Sequence, residues 1–230
     1  MRKFAEAISW AKEGGFAIDA AVDERMAFIR RTYTTLLIQL IGVVLATSLS
    51  IKTGLATTLG LGGVIIGFIG VIFVMPRLIV PTASRPVQTL GAALLVGFYG
   101  LLLSPLVMVA PEGVLIQAAV LTGCVFGGLT AYVFMTKKDF NFLGGMLSAA
   151  LWILIGVGVI SFFFGGFGNT TGLLFSGFAV LLFSGFVLYD TSNIMRRYPT
   201  NAHMAASIAL LINVVHIFWY IAMILMGSRD

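Results

Sequence analysis

Of nine acidic residues in this chain, Asp190 directly closes a long apolar run, in Val-Leu-Tyr-Asp-Thr (187–191). A carboxylate at the edge of such a run must find a partner or give up its charge, which makes it a functional candidate by default. A second polar feature follows it. Asn213, His216 and Tyr220 recur at offsets of three and four inside an otherwise apolar stretch. That spacing puts them on one stripe of a helix, a stripe that should face protein and not lipid. Together these residues form the candidate site, an ionisable group with polar companions on a neighbouring helix. A purely structural role competes with this. Asp190 could reach headgroup water and pair with Arg196 or Arg197, and the stripe could be interhelical glue at about 0.6 kcal/mol per contact.

Other chemistries lack their parts. The sequence has no His-Glu-x-x-His zinc motif, no Gly-x-Ser-x-Gly elbow, no phosphate-cradling glycine loop and no metal-spaced Cys/His cluster. His203 and His216 are the only histidines. An enzyme is therefore not expected, and no cofactor is implied. The basic residues are scattered in ones and twos without a basic face, so the net charge of +5 does not point to nucleic acid.

The elements that must position Asp190 follow from composition. The chain is 59% hydrophobic and 10% charged, with a mean hydropathy of +1.05, far from the balance of a soluble domain. A hydrocarbon core about 30 Å thick needs roughly 20 apolar residues of helix. Seven such runs can be marked, at 33–51, 55–75, 88–109, 113–135, 142–164, 171–189 and 204–226. They are long and lack strict alternation, which predicts helices and not barrel strands. The expectation is an all-α membrane protein with seven transmembrane helices and the lipid bilayer as its main partner.

Orientation follows from the positive-inside rule. With the N-terminus in the cytoplasm, twelve basic residues lie inside and only Lys52 and Arg229 outside. The C-terminus then falls outside, and the first run stays as an anchor, since no cleavable signal peptide is visible. Residues 1–31 are expected to form a cytoplasmic or interfacial arm and residues 32–230 the membrane domain. Within the arm, Val22, Met26 and Ile29 share one face of an amphipathic segment that would lie on the interface. Cys124 is expected as a small buried hydrophobe. Gly63-x-x-x-Gly67 and Gly123-x-x-x-Gly127 are expected to allow close helix packing, and Asp139 to cap the fifth helix.

The segment Phe-Val-Leu-Tyr-Asp-Thr-Ser-Asn-Ile (186–194), followed by Tyr198-Pro199 and a polar-striped last helix, resembles the Bax inhibitor-1 family. Thr-Lys-Lys-Asp-Phe-Asn-Phe-Leu (136–143) is similar to that family's bacterial branch, as are Ile18-Asp19 and Arg31-x-Tyr33. The likeness runs over roughly residues 16–228. It implies a seventh helix at the centre of the fold, wrapped by the other six, and a pH-sensitive calcium leak, here in a bacterial inner membrane. Eukaryotic members are linked to suppression of cell death.

In the resemblance, the leak rests on two facing carboxylates that share a proton. Asp190 matches the first. The second falls in Leu211-Ile-Asn213-Val-Val-His216-Ile-Phe218, where Asn213 replaces the acid and His216 the family's asparagine. An amide at Asn213 can still hydrogen-bond Asp190, but like-charge repulsion is gone and a divalent cation meets one negative charge instead of two. Protonated His216 could pair with Asp190 as a different switch. The family's arginine that contacts the acids from the second helix corresponds to Arg77, with Arg85 as the alternative. Two other function classes remain: a non-conducting protein that modulates membrane-protein turnover or stress responses through protein partners, and, with less support, a small-molecule transporter.

Overall fold

The computed structural model of the chain describes residues 15–60, 67, 70, 84–164, 166 and 168–228. Among the described residues six long helices stand out: α1 (Val22–Thr53), α2 (Arg85–Val109), α3 (Val114–Thr136), α4 (Leu143–Phe163), α5 (Asn169–Arg196) and α6 (His203–Gly227). Each is long and apolar enough to cross a membrane. The predicted run at 55–75 lies largely outside the described residues, although 55–60 are helical. Among the described residues there is no strand, only one antiparallel bridge between Phe16 and Pro199.

The helices are amphipathic in the reverse sense of a soluble protein. Buried positions include Thr32, Gln39, Thr47, Ser50, Ser104, Ser207 and Asn213, while Trp152 is 73% exposed, Phe163 77% and Met135 82%. In water, large apolar side chains displayed so widely would drive aggregation. In lipid they are already solvated, and polar groups are the ones that must turn inward. Burial is uneven. Half of the most apolar stretch of α6 is buried, against 11% in α4 and between 17% and 39% in the other helices.

Two compact units divide the chain, residues 1–108 with 194–211 and residues 109–193 with 212–230, so α5 and α6 contribute to both. In the first unit, α1 buries Phe28, Thr32, Leu36, Gln39, Val43, Thr47 and Ser50. The same side returns every eleven residues, a period of about 3.67 that keeps one stripe inward along the whole helix. Gln39 Nε2 donates to Ser207 Oγ at 3.1 Å, and Ser207 Oγ to the Met204 carbonyl at 2.9 Å. Pro105 sits inside α2 and leaves the Leu101 carbonyl without its helical donor. Ser104 Oγ supplies one at 2.6 Å, and its remaining acceptor capacity faces Ser50 Oγ at 3.1 Å. The defect is repaired within the fold.

The start of the described chain is tied to the link between α5 and α6. Ala17 N donates to Tyr198 O at 3.0 Å, Ile18 N to Arg196 O at 3.3 Å and Thr200 N to Gly15 O at 3.4 Å. Glu24 accepts from Thr200 Oγ1. The later part of the expected arm is helical, forming the start of α1, which runs unbroken through position 31/32. A helix of 32 residues is about 48 Å long, more than the hydrocarbon needs, so its charged early turns extend beyond it.

In the second unit, α4 and α5 approach closely. A Cβ on Gly144 would lie 2.8 Å from the Tyr189 ring, and one on Gly185 would lie 2.7 Å from Leu147. Three sequence expectations need correction. Cys124 is exposed and not buried, because it lies on a poorly covered face of α3. A Cβ at Gly123 or Gly127 would meet nothing within 4 Å, so that pair makes no close approach; Gly63 lies outside the described residues, while a Cβ on Gly67 would run into the Phe98 ring, a close approach as expected. Asp139 Oδ1 accepts from Asn141 N at 3.0 Å, a turn contact ahead of α4, whose cap position is Phe142.

A Cβ on Gly100 would fall 2.8 Å from the Ala46 carbonyl carbon and the Thr47 nitrogen, backbone atoms that cannot yield. Gly100→Ala should therefore destabilise by about 1–3 kcal/mol. Gly97→Ala, with nothing within 4 Å, should be neutral or mildly stabilising. Thermal unfolding of both variants in detergent micelles checks this, and equal melting temperatures would contradict it.

Candidate functional site

Helix α5 does not stop at 189 as expected but continues to Arg196, so Asp190 sits inside it, with nearly two turns beyond. The extension turns a helix-end carboxylate into one held against a neighbour. Asn213, 3% exposed on α6, donates from Nδ2 to Asp190 Oδ2 at 2.7 Å. The polarity of this bond follows from chemistry: an ionised carboxylate only accepts, so the amide must present its N–H. Asp190 itself is half-buried.

His216 lies one turn beyond Asn213. Its Nδ1 is 2.7 Å from the Ile212 carbonyl, which can only accept, so Nδ1 carries a proton and Nε2 is the acceptor of the neutral ring. The ring stacks on Phe183, with centroids 4.4 Å apart and planes 17° from parallel. Tyr220, one turn further, lies 6.2 Å from Phe183 and meets Phe175 edge-on at 6.0 Å. The predicted stripe thus faces α5 along its length, with Asn213 on the carboxylate and the two rings on aromatic neighbours. Phe183 precedes Asp190 by seven residues, two helical turns, which is the spacing that could have revealed it beforehand.

Support comes also from the turn before α4. Ser192 Oγ, almost fully buried, accepts from Phe140 N at 3.0 Å and lies 3.4 Å from the Lys138 carbonyl, to which it donates. The turn is thereby docked two residues from Asp190. Sequence inspection singled out both segments without linking them, because a side-chain bond to a turn 52 residues away has no local signal. Arg77 lies outside the described residues. Arg85 opens α2 and lines a cavity with Glu24, Arg31 and His203. Among the described residues, no cluster of three or more His, Cys, Asp or Glu side chains could hold a metal ion.

The sequence profile described as "Inhibitor of apoptosis-promoting Bax1" matches residues 25–230. The chain belongs to the Bax inhibitor-1 family. Its relatives span kingdoms. It is similar to a "Golgi anti-apoptotic protein" of vaccinia virus (strain Lister), 32% identical over 94% of this chain and 92% of the viral one. It is similar to mouse "Protein lifeguard 4", 30% identical over 90% of this chain and 88% of the mouse protein. A Vibrio cholerae membrane protein is 33% identical over 88% of this chain and 91% of its own length, consistent with the bacterial branch of the Bax inhibitor-1 family.

Removing the Asn213 amide leaves a carboxylate oxygen without its donor, at a cost of about 1–3 kcal/mol. Asn213→Leu should lower stability by that amount in the native background and by clearly less in an Asp190→Leu background. A double-mutant cycle in detergent unfolding reads the coupling; a value near zero would mean that the 2.7 Å contact is not energetically formed.

Proposed function

We propose that this protein provides a regulated path for cations, calcium among them, in which the charge of Asp190 against α6 controls passage. The observation that carries this is the 2.7 Å bond from Asn213 to a half-buried carboxylate inside two apolar helices. A lone carboxylate with an amide beside it cannot supply the six to eight oxygens of a calcium-storage site. It suits an ion that stops briefly and leaves, as conduction demands. Calcium is cargo here, and the protein is not an enzyme. Because Asn213 stands where the family's second acid is expected, the response to pH rests on one carboxylate, with the His216 ring one turn away.

The same proposal includes seven spans, with α6 at the centre and the N-terminus in the cytoplasm. The high burial of α6 supports the first point, and the distribution of twelve basic residues against two supports the second. Residence in a bacterial inner membrane is supported by the Vibrio cholerae relative. The names of the viral relative and of the family favour a second function, regulation through protein partners without conduction.

Calcium efflux from liposomes between pH 5 and 8 separates the two. Wild type should leak, Asp190→Asn should lose most of the leak, and Asn213→Asp should shift its pH dependence. His216→Ala should alter the profile only if the ring takes part in the switch. Indistinguishable flux from wild type, Asp190→Asn and empty vesicles would leave the regulatory function standing. A phosphatase fused after Asp230 should be active on the outer side; activity of a cytoplasm-only reporter there would reverse the proposed orientation.

A further inference from the structure

A cavity of about 380 Å3 lies in the first unit and is built from residues other than those that surround Asp190. Three of its wall residues are cationic or can become so: Arg31 on α1, Arg85 at the first position of α2, and His203 at the first position of α6. Arg31 and Arg85 both lie close enough to His203 to act on it electrostatically. Among the described residues Glu24 is the one carboxylate in the wall, where it accepts from Thr200, and neither guanidinium makes an ion pair. Cations gathered this way repel one another until an anion enters.

We infer that this cavity binds a phosphate group, supplied by the headgroup of an anionic phospholipid. Guanidinium forks match phosphate oxygens in geometry as well as charge. The location points to lipid as the source. Arg31 stands where the apolar part of α1 begins, and Arg85 and His203 open two further apolar helices, so the cavity lies at their common polar boundary. That is the depth at which headgroup phosphates reside and at which basic side chains attract anionic lipids. Phe28, 1% exposed, and Ala27 give the cavity an apolar side for the glycerol region, while the buried Gln88 adds a polar one. The volume falls within the range of small-ligand sites. Nothing in this inference depends on whether the protein conducts ions.

Native mass spectrometry of the full chain in detergent, with phosphatidylglycerol offered against phosphatidylcholine, tests it. Wild type should retain phosphatidylglycerol preferentially. Arg31→Gln with Arg85→Gln should reduce that retention roughly 25-fold, and Arg85→Gln alone roughly fivefold. Lys52→Gln, a basic residue outside the cavity, should change nothing. Melting temperatures establish that each variant is folded; if the double variant is not, the single one decides. Displacement of the lipid by millimolar inorganic phosphate supports a shared phosphate site. Binding of inorganic phosphate to wild type, lost in the variants and with no preference between the lipids, keeps the phosphate site and overturns its lipid source. Equal retention of phosphatidylglycerol by wild type and the folded variants overturns the inference.

Discussion

Polar groups placed among apolar helices have no water to turn to, and each must be satisfied by another part of the chain. The bond between Asn213 and Asp190 is the sharpest case, because one partner carries a charge when ionised. It aligns α5 with α6 at a defined register, brings His216 and Tyr220 onto the α5 aromatics, and keeps a carboxylate within a membrane-spanning helix. The same constraint governs Ser104, which takes up the carbonyl that Pro105 strands, and Gln39, which reaches across to Ser207. Specific pairing between helices here comes from these few polar contacts, since the apolar surfaces are solvated equally well by lipid and by one another.

The architecture was largely legible in the chain because hydrophobic runs of membrane length are a strong and local signal. Six of the seven predicted runs fall on described helices, four of them (88–109, 113–135, 142–164 and 204–226) to within three residues at both ends, and the Asn213–His216–Tyr220 stripe faces α5 as its spacing implied. Errors arose where the signal was not local. The sixth run was ended at 189 because Asp190 interrupts its hydropathy, yet the helix continues, since buried Thr191, Ser192 and Asn193 find protein surroundings that hydropathy cannot register. Glycine spacing was an uneven guide. Gly67, in one expected packing pair, is pressed against the Phe98 ring, whereas Gly123 and Gly127 meet nothing and Gly100 and Gly144, in no such pair, are pressed against a neighbour.

Two sequence segments carried the family resemblance most specifically, and the structure gives a physical reason for their association. Ser192, in the first, holds the backbone of the turn at 138–140, in the second. A turn that must present Phe140 N and the Lys138 carbonyl to one hydroxyl has little freedom in shape, which is why its sequence is recognisable at all. Lys137 adopts φ 51°, a left-handed conformation uncommon for a residue with a side chain, and so breaks α3 on its way into this turn. Asn213 bears on the site differently: its amide holds Asp190 by a hydrogen bond without adding a second negative charge beside it.

The backbone bonds joining residues 15–18 to residues 196–200 carry a temporal consequence. Their partners are separated by some 180 positions, so on the ribosome the earliest of these amides must wait until most of the polypeptide has been made before meeting their acceptors. Such remote closure is entropically slow and can come only after the intervening helices have inserted and gathered. The opening segment is thus synthesised early and seated late, which makes its attachment a marker that assembly has reached its final stage.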